Sequence, residues 1–149
     1  MDKKTFVILG NQLFEPSILK RLGCEHVFMA EDHGLCTYEK HHKLKIYLFF
    51  CAMREYRDEL QNYGIQVSYF NLEQRDENVG YATFLCDFLE KSEITRVSLF
   101  EIEDRPFESE LTQFLDSKNI EVTVHDSPMF MLSREDFAIN FGKNKTFRL

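Results

Sequence analysis

Aromatic, imidazole and cationic side chains gather where a loop enters a long apolar helix. Within residues 37–46, Tyr38, His41, His42 and Lys45 follow one another at spacings of three, one and three. Residues three or four apart share one helix face, so these side chains form a single patch if the helix begins early. Tyrosine and imidazole rings can stack on a flat ligand. A solvated basic helix start is the alternative interpretation.

The sequence does not predict a metal site. His41 and His42 are adjacent and diverge by about 100° on a helix of ~3.6 residues per turn. Only Glu39, three residues before His42, offers a further ligand at helical spacing. The four cysteines lack the spacing of a zinc or iron–sulfur knuckle, namely Cys24, Cys36, Cys51 and Cys86.

Two further polar groups come directly after predicted strands. Gly10, Asn11 and Gln12 follow the first strand, and Glu31 follows the second. Amides offer a donor and an acceptor to the edge of a heterocycle, and a carboxylate accepts from ring N–H groups or hydroxyls. A turn capped by Asn11 and a solvated loop at Glu31 are the alternatives. The single glycine does not form a dinucleotide-binding fingerprint.

The segment after the fourth predicted strand is acidic, at residues 101–105. It either lines the rim of a pocket or forms a solvated loop. No nucleophile, base and orienting group occur in a recognisable pattern, so we predict no catalytic residue in this chain.

Alternating apolar segments must position these residues. Strands are predicted at residues 5–9, 26–30, 66–70, 96–100 and 120–124. Helices are predicted from Pro16 towards Gly23, at 43–63 and 81–91, from near Pro106, and from a Ser133 cap through Phe141. This alternation predicts a Rossmann-like α/β fold, a five-stranded parallel sheet with helices on both faces. Ligands of such sheets bind at the carboxyl ends of the strands, where strand order reverses.

Composition sets the broad class. The 149 residues suit one domain, 1–149, with a mean hydropathy of −0.35 and no apolar run long enough to cross a membrane. No secretory leader is recognisable, so we expect a cytoplasmic location. A net charge of −7 disfavours direct binding of nucleic acid by this domain.

The start of the long helix is apolar nearly all round. Ile46, Phe49, Phe50 and Met53 form one stripe, whereas other apolar residues lie elsewhere on the helix, at Leu44, Tyr47, Leu48 and Cys51. One sheet buries only one stripe. We therefore expect the remaining apolar face to contact another domain or subunit.

Several of these segments resemble the N-terminal domain of the deoxyribodipyrimidine photolyase-related proteins, the iron–sulfur bacterial branch of the cryptochrome/photolyase family. The matching residues are 8–13, 29–31, 37–46 and 52–54, with weaker matches at 78–80 and 130–137. The block Tyr-x-x-His-His-Lys-x-Lys at residues 38–45 is the specific one. The family motif has aspartate at the position of Asn11. Asparagine keeps the hydrogen-bond acceptor of aspartate but loses its charge.

The resemblance implies that this domain holds a light-harvesting antenna, a lumazine such as 6,7-dimethyl-8-ribityllumazine. The candidate binding residues are Gly10, Asn11, Gln12, Glu31, Tyr38, His41 and His42. Polar groups would bind the ring edge or ribityl chain, and Tyr38 with a histidine would cap the ring. The family implies a larger helical C-terminal domain, absent from this chain, that holds FAD, a 4Fe-4S cluster and the DNA lesion.

We therefore expect an antenna-type domain of a photolyase-related flavoprotein, for light-dependent DNA repair or photoreception. The full-length family is a DNA photolyase, a carbon–carbon lyase, but this chain alone lacks the catalytic FAD domain. The alternative is a freestanding protein-interaction module with a vestigial pocket. A small nucleotide-binding enzyme is disfavoured because a phosphate-binding loop is missing.

Overall fold

Each of the first four strands leads through a helix into the next strand. The computed structural model describes residues 3–142, with the strands β1 (Lys3–Val7), β2 (His26–Ala30), β3 (Gln66–Phe70), β4 (Ile94–Phe100) and β5 (Glu121–His125). The α-helices are α1 (Pro16–Arg21), α2 (His33–Thr37), α3 (Lys43–Asn62), α4 (Tyr81–Lys91), α5 (Arg105–Ser117) and α6 (Arg134–Phe141). A 3-10 turn, Leu72–Gln74, follows β3.

The strands form one parallel sheet in the order β3-β2-β1-β4-β5. Phe6 lies beside Val27 of β2, and Val7 lies beside Leu99 of β4. The predicted α/β, Rossmann-like fold is confirmed. Strand order reverses between β1 and β4, which opens a crevice at the carboxyl ends of these two strands.

Alternating side chains of the central strands fill two separate cores. Phe6 and Ile8 face α1 and α3, where Leu19, Met53 and Leu60 are buried. The other face packs against α4 and α5 through a set of fully or nearly fully buried residues, including Val7, Phe28, Leu85, Leu89, Val97, Leu111 and Leu115. Burial on both faces explains the continuous apolar run of β2 after His26, whereas the edge strand β5 alternates polar and apolar residues.

Local signals set the helix ends. Gly64 follows α3 with φ of +72°, a left-handed conformation that glycine adopts without strain. The Asp104 carboxylate accepts from the Phe107 N–H at 3.0 Å and caps α5. The Ser133 hydroxyl accepts from the Asp136 N–H at 3.0 Å, so the predicted cap of α6 is confirmed.

Several element bounds differ from the sequence predictions, and one helix was not predicted; β4, for example, begins at Ile94 rather than at residue 96. The first strand spans Lys3–Val7 rather than residues 5–9, because the Leu9 carbonyl already accepts from the Gln12 N–H in a turn. Helix α2 was not predicted, since five residues are too few to display a helical period. In the part of the chain that the structure describes, no helix is long and apolar enough to cross a membrane.

Candidate functional site

A cavity of about 260 Å³ lies in the crevice between the ends of β1 and β4, beside the first half of α3. Its floor comes from the strand ends, including Leu9, Ala30 and Ile102. The remaining lining residues are Gly10, Asn11, Asp32, Cys36, Tyr38, His41, Lys45, Ile46, Phe49, Phe50, Met53, Tyr81, Glu103, Asp104 and Phe107. This is the position that the strand-order rule predicts for a ligand.

The apolar stripe of α3 forms one wall of the cavity. Ile46, Phe49, Phe50 and Met53 all belong to the lining. Gly10 permits this close approach, because a Cβ atom there would lie 2.4 Å from Cε1 of Phe49 and 2.8 Å from Sδ of Met53. The glycine after β1 therefore serves the packing of α3 against the strand end.

Three of the four residues of the predicted ring and cationic patch, Tyr38, His41 and Lys45, line the cavity, although α3 begins only at Lys43. Tyr38 and His41 meet edge to face, with ring centroids 5.5 Å apart and planes inclined by 74°. The Lys45 ammonium lies 3.4 Å from Nδ1 of His41. Tyr38 is 67% exposed, so its ring has free surface against which a flat ligand can stack.

The segments after β1 and β4 form a second wall of the cavity, the carboxylate wall, to which Asn11 contributes an amide and Glu103 and Asp104 contribute carboxylates. Nδ2 of Asn11 donates to Oε2 of Glu103 at 3.0 Å and joins the segment after β1 to the segment after β4. Oε1 of Glu103 is buried and has no partner among residues 3–142. The acidic segment after β4 thus lines the cavity, the first of its two predicted alternatives. This wall can accept hydrogen bonds from ring N–H groups or hydroxyls.

A buried ion pair between Arg75 and Asp32 lies at the cavity floor. Nη1 of Arg75 donates to Oδ1 of Asp32 at 2.6 Å and to the Glu31 carbonyl at 2.7 Å. The guanidinium lies 4.5 Å from the ring centroid of Phe84. Since both partners are almost fully buried, Arg75 neutralises the Asp32 carboxylate at the cavity floor.

Tyr81, the first residue of α4, also contributes to the lining. Its ring packs edge to face against Phe107 with centroids 5.6 Å apart. Its hydroxyl is buried without a hydrogen-bond partner in the described part of the chain. Burial raises the pKa of Tyr81, so this hydroxyl stays protonated at neutral pH.

Glu31 is fully buried and engaged by the protein itself. Arg54 donates to both of its carboxylate oxygens, at 2.7 and 3.0 Å, while the Tyr69 hydroxyl and the Leu72 N–H donate at 2.7 and 3.0 Å. Burial by itself raises the pKa of Glu31, but these hydrogen bonds outweigh it and hold the pKa below its usual value. The carboxylate therefore ties α3, β3 and the 3-10 turn to the end of β2.

The structure brings four of the seven predicted binding residues into the cavity lining: Gly10, Asn11, Tyr38 and His41. Gln12, Glu31 and His42 lie outside the lining. Gln12 is buried and donates from Nε2 to the Glu101 carbonyl at 2.8 Å. Nδ1 of His42 accepts from the Leu44 N–H at 3.2 Å and caps α3. A ligand role for all seven remains a prediction.

Sequence reasoning did not single out Asp32, Tyr81 and Phe107. Asp32 directly follows Glu31 at the end of β2, so the strand-end rule was a usable signal. Tyr81 is the first residue of α4 and Phe107 lies in the first turn of α5, and only the folded structure brings these two residues to the cavity. Three or more His, Cys, Asp or Glu side chains do not converge for a metal ion anywhere in residues 3–142.

Comparison with known proteins agrees with the fold and the motifs. Residues 6–149 match the family described as deoxyribodipyrimidine photo-lyase-related protein. The chain is also similar to a (6-4) photolyase of Agrobacterium fabrum, with 27% identity over 135 residues. That alignment covers 88% of this chain but only 26% of the relative, so the chain spans about a quarter of the relative's length. Because the family match extends over nearly the whole sequence, the chain belongs to the deoxyribodipyrimidine photolyase-related proteins.

Proposed function

We propose that this chain is an antenna-type domain whose cavity binds a light-harvesting, lumazine-like chromophore. The observation that carries this proposal is the pairing of two unlike walls at the strand-order reversal. One wall offers rings and apolar side chains, and the other offers an amide and carboxylates. Flat heterocycles with a polar edge need this combination of stacking surface and hydrogen-bonding groups.

The chemistry of the lining fits such a chromophore. A volume of about 260 Å³ lies just below the range of small-molecule sites, roughly 300–1,000 Å³, and suits a compact ring better than a dinucleotide. Tyr38 and His41 would cap the ring, and Asn11 with Glu103 would bind its polar edge or the hydroxyls of a ribityl chain. When bound, the antenna supplies absorption of near-ultraviolet and blue light and transfer of the excitation energy.

We further propose that FAD and a 4Fe-4S cluster belong to the part of the full-length protein that lies outside this chain. The similarity to a photolyase about four times as long as the matched segment supports this division. The output would be light-dependent DNA repair or photoreception by a cytoplasmic flavoprotein. An antenna acts through space, so this domain needs only to fix the position and orientation of its chromophore.

The exposed face of α3 is the proposed contact for the FAD-binding domain or another subunit. Leu44, Tyr47 and Leu48 are 64%, 69% and 69% exposed. This same surface favours the second candidate function, a protein-interaction module with a vestigial pocket. The two candidates differ in one property, because only the antenna domain binds a chromophore in the cavity.

A fluorescence titration of the purified chain with 6,7-dimethyl-8-ribityllumazine tests the proposal. We expect saturable binding that Tyr38→Ala weakens by roughly tenfold, since base-like stacking on an aromatic ring is worth about 1–3 kcal/mol. The matched control is Tyr47→Ala, which removes an equally exposed tyrosine of α3 that does not line the cavity. Equal affinities of both variants would remove Tyr38 from the site, and absence of saturable binding by the unmodified chain would favour the interaction module.

A further inference from the structure

Arg134 lies outside the cavity but holds the segment that forms one of its walls. From the first turn of α6, Nη1 donates to both carboxylate oxygens of Glu108 on α5, at 2.8 and 3.0 Å. Nη2 donates to the backbone carbonyl of Ile102. Nε lies 3.8 Å from the Glu101 carboxylate. One guanidinium therefore joins α5, α6 and the segment after β4.

The segment held in this way is the carboxylate wall of the cavity. Ile102 and Glu103 both line it, and Ile102 is buried. On the side of β1, Asn11 contacts the Glu103 carboxylate and Gln12 contacts the Glu101 carbonyl. Arg134 makes its contacts from α6, which is absent from the lining. The carboxylate wall is thus held from two sides, by the loop after β1 and by Arg134 of α6. The contacts of Arg134 to Glu108, Ile102 and Glu101 are called the clamp below.

These contacts suit an arginine. A guanidinium presents five donors in a planar fork, so it can grip a carboxylate with one pair of N–H groups and a carbonyl with another. A lysine ammonium keeps the charge and can pair with Glu108, but it lacks the rigid fork. Conservative replacement should therefore preserve the ion pair and lose part of the clamp.

We propose that Arg134 is a positioning residue for the ligand cavity, setting the place of Ile102 and Glu103 so that the carboxylate wall meets the ligand. This inference rests on the proposed function, because that function supplies the ligand. The contacts of Arg134 themselves do not depend on it. It also couples α6 to the cavity. By thermodynamic linkage, a ligand that needs the ordered wall must stabilise the contacts of Arg134 to the same extent.

The first test is titration of Arg134→Ala and Arg134→Lys with 6,7-dimethyl-8-ribityllumazine. We expect Arg134→Ala to bind roughly fivefold or more weakly, in the usual range of coupling between distinct sites, and Arg134→Lys to fall between it and the unmodified chain. Arg21→Ala, which removes an exposed arginine from the last turn of α1, is the control and should bind normally. Unchanged affinity of Arg134→Ala would overturn the proposal.

The second test needs no ligand and separates the clamp from the proposed function. Amide hydrogen exchange of Arg134→Ala should accelerate at Glu101, whose N–H donates to the His125 carbonyl at 2.9 Å, while the amides of β2 keep the protection of the unmodified chain. If the unmodified chain does not bind lumazine, the proposed function fails, yet accelerated exchange at Glu101 still supports the clamp. Exchange at Glu101 that matches the unmodified chain would refute the clamp.

Discussion

Replacement of Arg54 by methionine should destabilise the domain far more than loss of an ordinary surface ion pair. Glu31 is 0% exposed, and Arg54 supplies two of its four hydrogen bonds. Removing one partner of a buried pair costs about 3–5 kcal/mol. Arg54 itself is 51% exposed, which lets water approach, and Tyr69 and Leu72 continue to donate. We therefore expect the free energy of unfolding to fall by roughly 2–3 kcal/mol, below that range.

The assay is urea unfolding at neutral pH, followed by the far-ultraviolet circular dichroism of the helices. Methionine retains an apolar stem and removes the donors, so packing changes little. Lys118→Met is the matched control, because Lys118 pairs with Glu90 at 3.4 Å on the surface. Such exposed pairs contribute about 0–1 kcal/mol. Equal losses in the two variants would refute the reasoning.

The effect should also depend on pH with a defined sign. The pKa of Glu31 is lowered in the folded protein, so its contribution is fully present above the unfolded value of about 4.3. That contribution is lost as the pH falls through the folded pKa. In Arg54→Met, the hydrogen bonds from Arg54 no longer oppose the effect of burial, so we expect the pKa of Glu31 to be higher than in the unmodified protein. Protonation of Glu31 then removes the buried charge that destabilises the variant. The difference in stability between the two proteins should therefore shrink on acidification, and a constant difference would contradict this account.

Three further substitutions test the packing and capping that shape the cavity. Gly10→Ala should lower the free energy of unfolding by about 1–3 kcal/mol, because the added methyl group overlaps Phe49. Phe49→Ala in the same chain should remove most of that cost, which a double-mutant cycle measured by urea unfolding tests. Leu85→Ala should cost about 2–5 kcal/mol, because this side chain is fully buried, and a loss under about 1 kcal/mol would be inconsistent with the described core. Asp104→Ala should lower the free energy of unfolding by about 0.5–2 kcal/mol, because it removes the cap of α5. Asp104→Asn should retain most of the cap, and thermal unfolding of both variants distinguishes these results.

The fold was predictable because its signals are local. The strand β2 contains a continuous apolar run at residues 27–30, and helix α4 carries Leu85 and Leu89 on one stripe. Pro16, Gly64 and Ser133 mark helix boundaries through their own backbone or side-chain chemistry. Helix α2 gave no such signal, because one turn and a half does not define a period.

The cavity was predictable only in part, because its polar contacts join distant segments. The strand-end rule placed Asn11 and Glu31 at the correct edge of the sheet. It did not distinguish their environments, which depend on partners far away in sequence. Asn11 contacts Glu103, 92 residues later, and stays at the cavity. Glu31 meets Arg54 and Tyr69, 23 and 38 residues later, and these contacts engage its carboxylate within the protein.

The most direct test of the central claim is the absorbance and fluorescence spectrum of the purified chain, recorded before and after addition of 6,7-dimethyl-8-ribityllumazine. The proposed antenna site predicts a near-ultraviolet to blue band that co-purifies with the protein, or saturable quenching of the added lumazine with one site per chain. A chain that carries no such band and leaves lumazine fluorescence unchanged at saturating concentrations would contradict the claim that this cavity binds the chromophore.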